Sequence, residues 1–499
     1  MSTLSKCLWL MLAAGGLLPA ASPNAIAIDA AAPGRPFPHF WERTFGSGRA
    51  NLSLRESYRA DLRTVRQALG FEYVRFHAIF HDENGVYQED ASGNPVYNWS
   101  YVDQIYDGLL ANHVRPFIEL GFMPAALASS PKPHAFWYKQ LPSPPRDYDK
   151  WGALVEAFTR HMVDRYGLEE VSHWIFEVWN EPNIDFWTGE PKEETYYQLY
   201  ASAARAVKKV SPRLSVGGPA TAQAAWVGRF IDHCVKSGLP LDFVSTHVYG
   251  NDRSEDVFGT HESIPRSDMV ARSVKKVHDE IAASARPKMP LYWTEFNASY
   301  MNEVNVTDSP YIGPWLANTI RMCDGIVEMM SYWTFSDVFE EQGVVKTPFY
   351  GGYGLIAAGN IPKAALNDFR LLHKLGTSRI PNPSDSALVT RRSDGSLAIA
   401  VWNYSAPEEP GAPRAVRIDL KGIAGPRTLR ITTVDAQHGS PLALWESMGK
   451  PAFPTRAQQQ KLRAAGQMPA AREQPWTPGT PLELTLAPKA LTVIEVPGS

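Results

Sequence analysis

The chain has 499 residues, 44 % hydrophobic and 20 % charged, with a formal net charge of −3. That is globular composition with enough length for two domains. With 3 cysteines, no basic stripe and no acidic run, it excludes a disulfide framework, a nucleic-acid-binding surface and a charged disordered tail. The 15 Trp, 20 Tyr and 21 Phe suit a flat uncharged ligand as well as a large core.

The N-terminus reads as a secretory leader over residues 1–27. Lys6 precedes an apolar run from Cys7 to Leu18, and Ala25-Ile26-Ala27 offers a cleavage site, with a second near Ala20–Ser22. The run is too short to span a bilayer, which needs about 20 residues. The leader predicts a secreted or periplasmic protein with no membrane attachment after cleavage. Only Cys234 and Cys323 then remain, enough for one disulfide.

Residues 28–376 alternate short apolar strands with amphipathic helices. The predicted strands are Trp41–Gly46, Tyr73–Phe80, Arg115–Phe122, His173–Trp179, Leu214–Gly218, Leu241–Tyr249, Pro290–Glu295 and Glu328–Phe335. Helical spacing falls between them at Arg55–Leu69, Tyr101–Ala111, Trp151–Tyr166 and Thr195–Val210. Gly70, Gly167 and Ser211-Pro212 supply stop signals, and Pro362–Leu375 supplies a last helix ending at Gly376. Consecutive βα units with no Gly-rich phosphate turn predict a (β/α)8 TIM barrel rather than a doubly wound sheet. After Gly376 the helices stop, apart from one candidate around Thr455–Ala465. Ala387–Arg391, Ser396–Asn403, Val416–Leu420, Thr428–Val434, Leu482–Leu486 and Ala490–Val496 read as strands of a β-sandwich over residues 377–499. The proline-rich segment 28–39 is a candidate edge strand for that sandwich.

Barrel enzymes place reacting groups at the C-terminal ends of their strands. The fourth strand runs into Asn180-Glu181-Pro182 and the seventh into Thr294-Glu295-Phe296-Asn297. Two carboxyl groups three strands apart face each other across the mouth, the arrangement that flanks a glycosidic bond. Direct attack by one of them, with retention of configuration, requires a separation of about 5–5.5 Å. Glu181, beside Trp179 and Asn180, is the candidate acid/base, because apolar burial and a neighbouring carboxylate hold a proton on such a group. Glu295 is the candidate nucleophile, with Arg75 of the second strand as the cation that keeps it ionised. Asn180 is placed to donate to a sugar 2-hydroxyl. Glu177 lies mid-strand and is expected to be buried and paired. His77 and His247 are candidate hydroxyl contacts, and Tyr249, Tyr300 and Trp333 candidate stacking faces or hydroxyl contacts. His77 and His81 have helical spacing but fall in a strand and the loop after it, with no carboxylate-His helix, so no metal is expected.

These segments resemble glycoside hydrolase family 39. Glu177-Val178-Trp179-Asn180-Glu181-Pro182-Asn183 is similar to its acid/base signature and Thr294–Asn297 to its nucleophile strand. Gly46–Ala50, Arg75-Phe76-His77, His247–Gly250 and Tyr332–Glu341 resemble its β-D-xylosidase branch. The resemblance implies a barrel plus sandwich, a retaining mechanism, no cofactor and a possible homo-oligomer. The family's other branch acts on iduronate, whose carboxylate asks for a cation. After the eighth strand this chain has Asp337, Glu340 and Glu341, and no cation before Lys346. Glu340 and Glu341 are therefore read as acceptors for the hydroxyls of a neutral sugar, although Arg253 or Lys132 is able to reach in from another loop. Long loops at 125–146 and 250–267 are expected to wall the mouth and favour exo-action. The reading is a retaining exo-glycosidase releasing terminal β-D-xylosyl residues from xylo-oligosaccharides. The alternatives are an α-L-arabinosidase or α-L-iduronidase, and a non-catalytic sugar-binding barrel.

Overall fold

The computed structural model describes residues 24–498. The apolar run read as a leader lies outside them. Eight parallel strands close into a barrel: β1 (Thr44–Gly46), β2 (Tyr73–Phe76), β3 (Arg115–Leu120), β4 (Ile175–Val178), β5 (Ser215–Thr221), β6 (Phe243–His247), β7 (Leu291–Phe296) and β8 (Met329–Tyr332). Each falls inside or within a few residues of an expected strand. The principal helices around it are α1 (Glu56–Leu69), α2 (Ser100–Leu110), α3 (Tyr148–Tyr166), α4 (Lys192–Val210), α5 (Val227–Lys236), α6 (Arg266–Ala283), α7 (Ile312–Cys323) and α8 (Ala364–His373). Among the described residues no helix is long and apolar enough to cross a membrane. Cys234 on α5 and Cys323 on α7 are buried free thiols, not a disulfide.

The barrel interior is layered. Its N-terminal end is plugged by Tyr73, Phe117, Ile175, Phe243 and Met329, with Tyr292 against them. These come from six strands and point inward at the same level, as barrel packing requires. Above this apolar floor the inward side chains turn polar: Arg75, Glu119, Glu177 and Glu295. The floor excludes water from below, so the charged layer is reached only from the C-terminal mouth.

The second domain is a sandwich of a three-stranded and a seven-stranded sheet. In the larger sheet Leu397–Trp402 is buried at every position. Alternate residues explain this. Leu397, Ile399 and Val401 enter the sandwich core, whereas Ala398, Ala400 and Trp402 join the barrel core. A strand covered on both faces reads as an unbroken apolar run.

The sandwich begins earlier than expected. Asn24–Asp29 pairs parallel with Arg414–Lys421, and Arg35–Pro36 pairs with Ser378–Ile380. Ile26 and Ile28 are buried in the sandwich core. Ala25-Ile26-Ala27, read above as a cleavage site, thus lies within a paired strand.

Candidate active site

The turn after β4 delivers Glu181. Trp179 and Glu181 both take left-handed backbone angles, φ 73° and 45°. Such angles cost a non-glycine residue about 1–3 kcal/mol and persist only where the surroundings impose them. Here they do. The Trp179 indole donates to Phe186 O (2.9 Å), the Glu181 amide to Ala220 O (2.8 Å), and Asn183 bridges to Ala222 through both its amide atoms. The turn is thereby clamped to the β5 end, and the Glu181 carboxyl is held over the mouth.

Glu295, on β7, meets Arg75 of β2 across the barrel, Nη1 to Oε1 at 2.7 Å. The same guanidinium reaches Glu177 (2.5 Å), Glu119 (3.0 Å) and the Asn180 side-chain oxygen (3.0 Å). Arg75 is fully buried, so its charge is spent on these partners rather than on solvent. Three carboxylates raise its pKa although burial alone would lower it. Tyr249 lies two residues beyond His247, where β6 ends, and donates its phenol to the other Glu295 oxygen at 2.6 Å. Burial and the nearby Glu295 and Glu181 hold that phenol in its protonated, donating form. With its oxygen on Arg75, the Asn180 amide presents its NH2 group to the pocket.

The two glutamates converge. Glu181, His247 and Glu295 each bring one oxygen or nitrogen within 4.8 Å of the others. Burial first, then repulsion from Glu295 and Asp252, pushes the Glu181 carboxyl well above the usual carboxylate range. Such a trio also has the spacing of a metal site. Arg75 already donates to the Glu295 oxygen, however, and a metal ion there would face a buried guanidinium.

The pocket above this pair has a volume of about 460 Å³. It is lined by the expected residues His77, Asn180, Glu181, His247, Tyr249, Glu295, Tyr300, Trp333 and Glu341. Trp333 reaches it because position 46, at the end of β1, is glycine. A Cβ there would lie 2.1 Å from the indole. The His77 ring packs on Trp333 at 4.8 Å, and its Nδ1 pairs with Glu119 at 2.5 Å. Its Nε2 is left facing Glu295 and Glu341 at 3.7 and 3.8 Å. Burial opposes a charge on His77, but Glu119 and Glu295 prevail and raise its pKa.

Three expectations need correction. Glu340 does not line the pocket: its carboxylate is held by Arg49 and Arg55. Asp337 is likewise neutralised, by the buried Lys363 at 2.6 Å. The acidic loop read from the sequence therefore presents Glu341 alone to the pocket. His247 is not available to a sugar hydroxyl, because Glu181 and Thr294 occupy its two nitrogens, each at 3.0 Å.

Other lining residues were missed. His134 and Phe136 come from the long loop after β3, Asp185 and Phe186 from the turn after β4, and Asp252 and Asp256 from the loop after β6, which also brings in Arg253, the expected candidate, while Lys132 does not line the pocket. Their spacing follows no motif, and only the fold brings them to one mouth. The Trp137 amide donates to Glu341 O at 2.8 Å, tying the third loop to the eighth and closing the wall.

Burial raises Glu341 to about 8 and Asp252 to about 7. A carboxyl whose folded pKa lies above its unfolded one loses stabilisation as pH rises between the two. Glu341→Gln is expected to gain thermal stability over the parent as pH rises from 5 to 8.5. Melting curves at both pH values check this; an equal difference at both contradicts it.

A parallel eight-stranded barrel with a walled acidic pocket over its strand ends defines a (β/α)8 glycoside hydrolase. The chain belongs to glycosyl hydrolases family 39, whose model matches residues 24–479. It is 37 % identical over 468 residues to a beta-xylosidase of Geobacillus stearothermophilus, covering 91 % of this chain and 92 % of that one. It is 38 % identical to a beta-xylosidase of Caldicellulosiruptor saccharolyticus, over 86 % and 88 % of the two chains. The crystal structure of a monomeric beta-xylosidase from Caulobacter crescentus CB15 superposes with a TM-score of 0.87 at 35 % identity, covering 95 % of this chain and 99 % of that one.

Proposed function

We propose that this chain is a retaining exo-β-D-xylosidase that cleaves terminal xylosyl residues from xylo-oligosaccharides by double displacement. The observation that carries the reading is the approach of Glu181 and Glu295 to within 4.8 Å, in environments that differ. Such an approach belongs with the about 5–5.5 Å carboxyl separation of retaining enzymes, in which one carboxylate attacks directly, rather than with the about 6.5–9.5 Å of inverting ones. Glu181, the buried protonated member, gives its proton to the leaving oxygen. Glu295, with Arg75 and Tyr249 on its two oxygens, attacks the anomeric carbon. A covalent xylosyl-enzyme forms, the glycosidic bond breaks, and the leaving alcohol departs with the proton. Glu181, now ionised, takes a proton from water, which displaces Glu295 and releases xylose. Asn180 donates to the 2-hydroxyl during both displacements.

The names of the relatives support xylose, and the pocket does so independently. Its lining holds six carboxyl side chains (Glu181, Asp185, Asp252, Asp256, Glu295 and Glu341) against one arginine, Arg253. Asp256 lies 3.3 Å from that guanidinium. That arginine is engaged, so a uronate carboxylate finds no unpaired arginine or lysine among the described lining residues, whereas the hydroxyls of a neutral pentose find acceptors. The loop walls favour chain ends over internal bonds. The pocket is walled by one chain, so the reading needs no oligomer.

A panel of nitrophenyl xyloside, arabinoside, glucoside and iduronide tests this. The xyloside is expected to turn over fastest. A faster iduronide, or tight sugar binding without turnover, contradicts the proposal. Export through the leader is part of the same reading, with cleavage before Asn24 because Ile26 is buried in a strand. N-terminal sequencing of the exported protein checks it, and retention of Met1 contradicts it.

A further inference from the structure

A chain of hydrogen bonds runs from Glu181 into the barrel. Glu181 Oε1 lies 3.0 Å from His247 Nδ1, His247 Nε2 lies 3.0 Å from Thr294 Oγ1, and Thr294 Oγ1 lies 2.8 Å from Glu177 Oε1. Its direction follows from counting protons. Thr294 has one hydroxyl proton. Glu177 is a fully buried carboxylate whose other oxygen is on Arg75, and a charge-assisted bond claims that proton. Thr294 then accepts from His247, which places the ring proton on Nε2. A neutral imidazole carries only one proton, so Nδ1 is a bare acceptor.

We propose that His247 is a positioning residue that accepts a hydrogen bond from protonated Glu181 and so keeps the acid loaded, with its tautomer fixed by Thr294. The proposal rests on Glu181 being the acid/base. When Glu181 gives its proton to the leaving oxygen, its carboxylate faces the Nδ1 lone pair. That opposition raises its basicity for the water step.

The surroundings agree. Burial, with Arg75 and His77 close by, keeps the His247 imidazole neutral. Glu295 Oε1 lies 3.7 Å from Nδ1 and is already held by Arg75. Glu181 itself faces Glu295, Asp252 and Glu341, which favour its proton, and Arg75, which opposes it.

Thr294→Val tests the tautomer without touching either glutamate. Without the threonine acceptor, the ring proton moves to Nδ1 and donates to ionised Glu181. The basic limb of the kcat/KM profile, which reports the acid of the free enzyme, is expected to fall by roughly one pH unit. Thr294→Ser keeps the hydroxyl and is expected to restore the parent profile. A limb that stays or rises in Thr294→Val overturns the proposal. Nitrogen-15 NMR of the parent enzyme labelled at histidine gives a test that needs no variant. A proton on Nε2 with Nδ1 bare supports the proposal, and a proton on Nδ1 overturns it. Azide rescue of Glu181→Ala decides the acid/base assignment separately, so failure of one reading is not failure of the other.

Discussion

Glu181→Ala is expected to lose about 10²–10⁴-fold in kcat on xylosides with poor leaving groups, the span of general acid catalysis. The loss has a structural cause. Among the described lining residues, Glu181 is the carboxyl that burial and Glu295 together hold protonated within 4.8 Å of the candidate nucleophile. A dinitrophenyl leaving group needs no proton, so its departure survives the substitution. The second displacement then slows for want of a base, and the xylosyl-enzyme accumulates. Azide needs no base and fits the space left by the side chain. It is expected to restore turnover and give a xylosyl azide of retained configuration. An azide product of inverted configuration would exchange the two roles.

Glu295→Ala is expected to fall further, on the order of 10⁵-fold with every leaving group, because the covalent step itself is lost. The variant also leaves Arg75 with one carboxylate fewer and the Tyr249 phenol without its acceptor. Azide entering the vacated site attacks the anomeric carbon directly, and the expected product is the inverted azide. Product configuration by proton NMR separates this outcome from that of Glu181→Ala. Comparable loss on good and poor leaving groups distinguishes a missing nucleophile from a missing acid.

The barrel was legible because its strands are short, apolar and separated by helices with clear stops. Gly70 and Gly167 do end α1 and α3. The site was legible where function sits at a strand end. Arg75 contacts Glu295, and Glu177 is buried and paired, as strand position implied. What failed was any argument from charge along the chain. Glu340 and Asp337 look like an acidic face in sequence, yet Arg49, Arg55 and Lys363 arrive from elsewhere to neutralise them. His247 shows a related limit. Its position near the mouth was readable, but its engagement at both nitrogens depends on Glu181 and Thr294 from other strands. The sandwich start was misplaced for a different reason. Ala25-Ile26-Ala27 carries the small-residue pattern of a cleavage site, and the strand Asn24–Asp29 is revealed only by its pairing with Arg414–Lys421, far along the chain.

The most direct test of the account is trapping with a 2-fluoro xyloside that carries a good leaving group, followed by peptide mapping. Fluorine slows both displacements and the activated leaving group favours the first, so the covalent intermediate accumulates. The account predicts one xylosyl label per chain, on Glu295. A label on Glu181 or Glu341, or continued turnover with no label at all, would contradict it.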